Sequence, residues 1–283
     1  MISPICNTCG TQYPDALNPP AHCPICEDER QYVPETGQVW TTMDDLQKSH
    51  HLVRTEISPD LQVLMIQPDF AISQRGFLIK TPAGNVLWDC LAMIDDATIH
   101  WINNNGGLLA IAISHPHYYS ALSAWSDAFV SDTYTSDTFT SDTFKGVPVY
   151  LHAGDAEWVQ KPHPAIQHWS GETQILAPDL TLIRCGGHFE GGTVLHWHKD
   201  QGTLFTGDIM QVVADRRHVS FMRSYPNYIP LPAKTVTRIG QAVAPYVFDT
   251  IHGAFPGRTI AHDGNKVVER SVNRYLRAIG ALD

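Results

Sequence analysis

The sequence has no basic cluster. Its 19 Lys and Arg stand against 29 Asp and Glu, a formal charge of −10. An electrostatic footprint for nucleic acid or anionic lipid is missing, so neither is expected as a partner. No run approaches the ~18 apolar residues of a membrane span, and MISPICNTCG lacks the positive and apolar stretches of a secretory leader. A cytoplasmic protein is expected. Cysteine is scarce, six in all, and four fall within the first 26 residues, which excludes a disulfide scaffold. What remains is an ordinary globular composition, 43% hydrophobic and 17% charged, in a chain of 283 residues that is long enough to bury a large core.

The crowded cysteines are informative. Cys6 and Cys9 form one C-x-x-C pair, and Cys23 and Cys26 form another after thirteen residues. Two such knuckles bring four thiolates within tetrahedral reach of a single Zn²⁺ or Fe ion. They resemble those of zinc ribbons and rubredoxins, but the gap is shorter than rubredoxin's. Structural zinc is therefore preferred to iron. Residues 1–40 read as a small four-cysteine module held together by its metal rather than by a core. Cys90 and Cys185 lie on apolar segments and read as buried small hydrophobes.

From Leu61 the pattern changes to short β-rich runs, LQVLMIQ, GFLIKT and NVLWDC, then a helix over IDDATIHWINNN ending at Gly106-Gly107, then the apolar strand LLAIAIS. VPVYL, TQILA, LTLIR, TVLHW, TLFTG and FDTIHG read as further strands, AGDAEWV as a short helix, and PAKTVTRIGQAVA and GNKVVERSVNRYLRAIG as longer ones. Hairpins and βα units in one domain, 41–283, imply a layered α/β architecture. Within it, 126–145 reads SDAFV, SDTYT, SDTFT, SDTFK, a pentapeptide repeat with neither helical nor strand period. It is expected to be an insertion in a surface connection. The alternative is a partner-binding flap exposing Phe129, Tyr134, Phe139 and Phe144.

The chemistry lies where strands run out. LLAIAIS ends in His115-Pro116-His117, whose two imidazoles at i and i+2 can take adjacent corners of one metal polyhedron. Later apolar runs end at Gly187-His188, Thr206-Gly207-Asp208 and Ile251-His252-Gly253. Recurrence of His or Asp at strand ends is what several loops converging on one metal would produce. By contrast, His196 and His198 lie inside a strand and read as an outward, solvent-facing pair. His152 follows a strand and is a weaker candidate for the cleft. Arg217, Tyr225 and Tyr228 are candidates for the substrate mouth.

The order H-x-H, G-H, T-G-D and a final H resembles the metallo-β-lactamase fold hydrolases, a group that includes glyoxalase II enzymes and lactonases. The similarity runs from about Leu61 to the C-terminus, and VLWDC with Asp89 resembles the family's early strand. The resemblance implies an αββα sandwich with its site at the sheet edges. It implies His115, His117 and His188 as ligands of the first metal, and Asp208 as the residue that normally bridges two. The family's H-x-H-x-D-H has Asp and His where this chain has Tyr119 and Ser120. One metal is therefore expected in this domain, with His252 left as a proton-transfer or hydrogen-bonding group.

A zinc ion held by three histidines, with or without Asp208, supplies hydroxide at neutral pH. The expected function is hydrolysis of an ester, thioester, lactone or amide of a small molecule, with Asp208, His252 and Tyr119 as catalytic candidates. Tyr119 would donate to the developing oxyanion, or else pack into the vacated second site. Two alternatives remain: an iron-containing electron-transfer or oxidoreductase protein, and a non-catalytic binding protein with a degraded second site. An iron centre of the flavodiiron kind is disfavoured, since those proteins use H-x-E-x-D. Nothing in the sequence fixes the substrate or the oligomeric state.

Overall fold

Apolar runs of this length, too short for helices and rich in Val, Ile and Leu, settle as buried strands. The computed structural model describes residues 1–129 and 146–283. The first sheet has seven strands in chain order: His51–Ser58, Leu61–Gln67, Gly76–Thr81, Gly84–Trp88, Ala110–Ala112, Val149–His152 and Ile166–Trp169. Its first four pair antiparallel and the rest parallel. The second sheet has six: Thr173–Ala177, Leu180–Arg184, Thr193–Trp197, Thr203–Phe205, Thr250–His252 and Thr259–Ile260. In it, Thr203–Phe205 lies parallel to Thr250–His252, and the other pairings are antiparallel.

Alternation along the strands sorts three cores. Between the sheets lie Val63, Phe77, Val86 and Trp88 against Leu182, Leu195, Trp197 and Phe205. Leu64, Leu87 and Ile111 face outward instead, under Ile102 of the helix Asp96–Asn104 and Trp125 of Leu122–Asp127. On the other flank, Val194, Leu204 and Ile251 pack under Val236 and Ile239 of Ala233–Val243 and Val267 and Val268 of Gly264–Ala278. The result is the four-layer αββα sandwich. Cys90 and Cys185 are buried in the two outer cores, and burial raises both thiols above their ordinary pKa, Cys185 to about 12.

Asp95 shows how one residue serves two elements. One carboxylate oxygen caps the helix by accepting the Thr98 N–H at 2.8 Å, and the other accepts the N–H of Leu52 on the edge strand at 2.9 Å. That edge strand, His51–Ser58, precedes Leu61, from which the sequence pattern placed its first strand. It follows a short helix, Met43–Ser49. AGDAEWV forms a 3₁₀ helix, Ala153–Trp158. Phe129 of the first pentapeptide is buried and stacks on Trp125, which excludes it from any exposed flap. Tyr134, Phe139 and Phe144 lie outside the described residues. Among the described residues no helix is long and apolar enough to cross a membrane.

Candidate metal centre

Three loops at one end of the sandwich assemble the site. Past the strand Ala110–Ala112, the Ser114 N–H donates to the Asp89 carboxylate at 2.8 Å, and the Ser114 hydroxyl pairs with His115 Nδ1 at 2.8 Å. A 3₁₀ turn over Pro116–Tyr118 then folds His117 back beside His115, ring centroids 5.2 Å apart. His188 follows Gly186 and Gly187, both at positive φ, where a Cβ on Gly187 would lie 2.9 Å from Ile239 Cδ1. Only glycine fits there without strain. The third loop brings Asp208 past Gly207, whose Cβ position lies 2.5 Å from Ser114 Oγ, so the backbone of this turn packs directly on the Ser114 side chain.

The donor atoms of His115, His117, His188 and Asp208 all lie within 4.8 Å of one another, and all four residues are buried. His188 Nδ1 donates to the Met222 carbonyl at 3.2 Å, which leaves Nε2 as a lone pair, and that atom faces His117 Nδ1 at 3.2 Å. Tetrahedral zinc with Zn–N bonds of 2.0–2.1 Å would separate two nitrogens by about 3.3 Å. His115 Nε2 is 3.9 Å from an Asp208 oxygen and has no hydrogen-bond partner. Burial pushes all three imidazoles below the ordinary histidine pKa, His188 to about 4, and the Arg30 charge adds to the effect. They therefore stay neutral, the form in which imidazole ligates. Asp208 is pushed up to about 6 by burial, an effect that a cation beside it would reverse. This donor set fits a zinc ion.

Tyr119, the tyrosine expected as an oxyanion donor or as packing in the second site, is not the one at the cluster. Tyr119 turns away and its hydroxyl donates to the Asp155 carbonyl, 3.4 Å distant. Tyr118 is the phenol at the cluster, with its ring 4.3 Å from His115. The Tyr118 hydroxyl stabilises the Asp208 carboxylate, yet no atom completes a hydrogen bond of normal geometry with it. A buried hydroxyl in that state costs about 1–3 kcal/mol. Ser120 accepts from Gln74 through its hydroxyl and from the Gln12 N–H through its carbonyl, so it is engaged within the protein.

His252 is not part of the converging group. Its ring packs against Phe77 and Phe205 between the sheets, its Nδ1 pairs with Thr259 at 2.9 Å, and burial lowers its pKa to about 3. His152 is engaged by the Gly154 N–H and the Gly171 carbonyl. Of the expected mouth residues, Tyr225 lies beside His188, while Tyr228 and Arg217 are exposed. His196 corrects the solvent-facing reading. It is buried against Tyr246 and Phe248 with Nε2 on the Val247 carbonyl at 2.8 Å, and only His198 is exposed.

Arg30, which no sequence signal singled out, covers the centre. Asp28 holds it through Nε at 2.5 Å and Nη2 at 3.0 Å, its Nη1 donates to the His188 carbonyl at 3.4 Å, and its guanidinium lies 3.8 Å over the Phe189 ring. It belongs to the cysteine segment. There, Cys6 and Cys26 lie 3.6 Å apart, as do Cys9 and Cys23, close to the ~3.8 Å edge of a tetrahedron with Zn–S bonds of 2.3 Å. The Tyr13 hydroxyl donates to Cys23 and the Gln38 amide to Cys6, as expected around thiolates. All six cysteines are free of disulfides.

No family model matches the chain. Solved structures share its fold at low identity. DIM-1 metallo-β-lactamase superposes with a TM-score of 0.55 at 15% identity, covering 78% of this chain and 98% of its own. VMB-1 gives 0.56 at 12% identity, with 81% and 98% covered. FIM-1 of Pseudomonas aeruginosa, in a mono-zinc form, gives 0.53 at 13%, with 79% and 96% covered. The chain therefore has the metallo-β-lactamase fold. A sequence relative matches far more closely, 44% identical over 282 residues that span 98% of this chain and 97% of its own length. By that likeness the chain belongs to the family of the uncharacterized protein YmaE of Bacillus subtilis (strain 168).

Proposed function

We propose that this protein is a zinc-dependent hydrolase cleaving an ester, thioester, lactone or amide bond of a small molecule. One ion would be held by His115, His117, His188 and Asp208, and a second, structural ion by Cys6, Cys9, Cys23 and Cys26. The observation that carries the reading is the convergence of three neutral imidazoles and a carboxylate on one point, with His115 Nε2 otherwise unpaired. A bound zinc ion supplies a water whose pKa falls from 15.7 to about 7 and polarises a carbonyl.

The chain's own residues do the rest. Met222 fixes the His188 tautomer, Asp208 is placed to bind and to orient, and Arg30 and Phe189 exclude bulk water from above. Tyr119 and Ser120, at the sequence positions of the family's second-site ligands, are engaged by Asp155 and Gln74 instead, which favours one ion over two. A second reading, a metal-binding protein without turnover, is favoured by the burial of all four donors.

Elemental analysis is expected to find about two metals per chain, and a colourless protein, since ferric tetrathiolate absorbs in the visible. Three metals would show that Tyr119 and Ser120 leave the second corner open. His115→Ala should lose the centre's ion and any activity on a panel of ester, thioester and lactone substrates. His252→Ala should keep both and lose stability instead, by about 1–3 kcal/mol for the packing removed. Full metal occupancy with no turnover across the panel would favour the second reading.

A further inference from the structure

We propose that Tyr118 is a catalytic residue of this centre, its phenol hydroxyl donating a hydrogen bond to the substrate oxygen that becomes negative as the carbonyl is attacked. The inference rests on the hydrolase reading above and adds a specific donor to it. Tyr118 is fully buried, and its hydroxyl lies beside Asp208 without completing a hydrogen bond of normal geometry. Its ring is fixed 4.3 Å from His115, so the hydroxyl cannot turn to solvent.

The other donors nearby are committed. The Tyr225 hydroxyl donates to the Ser220 carbonyl, the Tyr119 hydroxyl to the Asp155 carbonyl, and Arg30 is paired with Asp28. Among the described residues, Tyr118 is thus the side-chain hydroxyl at the centre that completes no hydrogen bond of normal geometry, with only the Asp208 carboxylate beside it. A donor held ready in a buried, water-poor site is the arrangement that stabilises charge as it develops.

The step balances without the phenol losing its proton. As the water oxygen bonds to the carbonyl carbon, the π pair moves onto the carbonyl oxygen, which accepts the Tyr118 hydrogen bond. When the pair returns, the bond to the leaving group breaks, and that group takes up the proton released by the water.

Tyr118→Phe removes one oxygen and keeps the ring against His115. The protein is loaded with cobalt, and acetate, a carboxylate stand-in for the charged oxygen, is titrated by its effect on the visible spectrum. The saturated four-cysteine site does not respond and cancels in the difference. The variant is expected to keep both metals, to melt at the same temperature or higher, and to bind acetate about tenfold more weakly. With p-nitrophenyl acetate as substrate, kcat is expected to fall about 100-fold with little change in KM.

Acetate affinity equal to wild type overturns the proposal, and this arm decides where the ester is not turned over. Loss of the centre's cobalt makes Tyr118 a ligand and overturns it. A lower melting temperature assigns the hydroxyl a structural partner and overturns it too. Wild-type protein that takes no cobalt outside the cysteines overturns the hydrolase reading, and the role of Tyr118 falls with it.

Discussion

Asp155 is a carboxylate that serves the centre without touching it. Its Oδ1 accepts the Gly191 N–H at 2.7 Å, tying down the loop that carries His188, and burial raises its pKa to about 6. A carboxyl whose pKa is higher folded than unfolded takes up a proton on folding. Its contribution to stability is therefore present below the unfolded value near 3.8 and is lost as pH rises through about 6. Asp155→Asn keeps an acceptor for Gly191 and removes the titration. The variant's stability in urea is expected to change less than wild type's between pH 4 and 6.5, and parallel curves would refute this. The adjacent tyrosines show where residue-level reading stops. Successive side chains on a 3₁₀ turn point about 120° apart, so exchanging Tyr118 for Tyr119 at the centre depends on where that turn begins. Sequence reports the composition of the turn but not its phase.

At the scale of elements, the apolar runs were legible because a buried strand needs them. Leu61–Gln67, Gly76–Thr81, Thr173–Ala177, Leu180–Arg184 and Thr193–Trp197 lie where those runs placed them. The edge strand His51–Ser58 was not legible. Its residues are mostly exposed or half-buried, and its pairing is set by the neighbouring strand rather than by its own pattern. His196 misled for a related reason: its strand is covered on both faces, so alternation gives no outward side. Gly187 carries the clearest element-level prediction. Alanine there meets both a positive φ of 93° and contacts of 2.9 and 3.1 Å with Ile239 and Leu231. The strain of about 1–2 kcal/mol falls on the residue preceding His188. Gly187→Ala is expected to weaken zinc binding at the centre about tenfold, read by competition with a chelator, while the four-cysteine site is unchanged. Equal affinities would mean that the loop absorbs the change elsewhere.

At the scale of the whole molecule, the segment expected as a separate module is wedged into the sandwich. Ile5 belongs to the same outer core as Ile111 and Trp125, and the Cβ position of Gly10 lies 2.9 Å from Ala92 Cβ. Glu29 pairs with Arg223, and Asn227 donates to the carbonyls of Glu29 and Gln31. Such contacts have no signature in a linear pattern, because they join distant residues, nearly two hundred positions apart for the pairs made by Glu29. The two donor sets also differ in how much chain they gather. Cys6 and Cys26 are 20 residues apart, His117 and His188 are 71, and the Arg30 contact with His188 spans 158. Closing a longer loop costs more entropy and delays the contacts that depend on it. We therefore expect the ions to be acquired in order, cysteines first and the histidine centre only after the second sheet has formed. Refolding in limiting zinc, followed with a fluorescent zinc indicator, should show two phases, and the slow one should vanish in His115→Ala. A single phase in wild type would contradict it. A cell short of zinc would then accumulate chains with a filled knuckle and a vacant centre, folded at the front and idle behind.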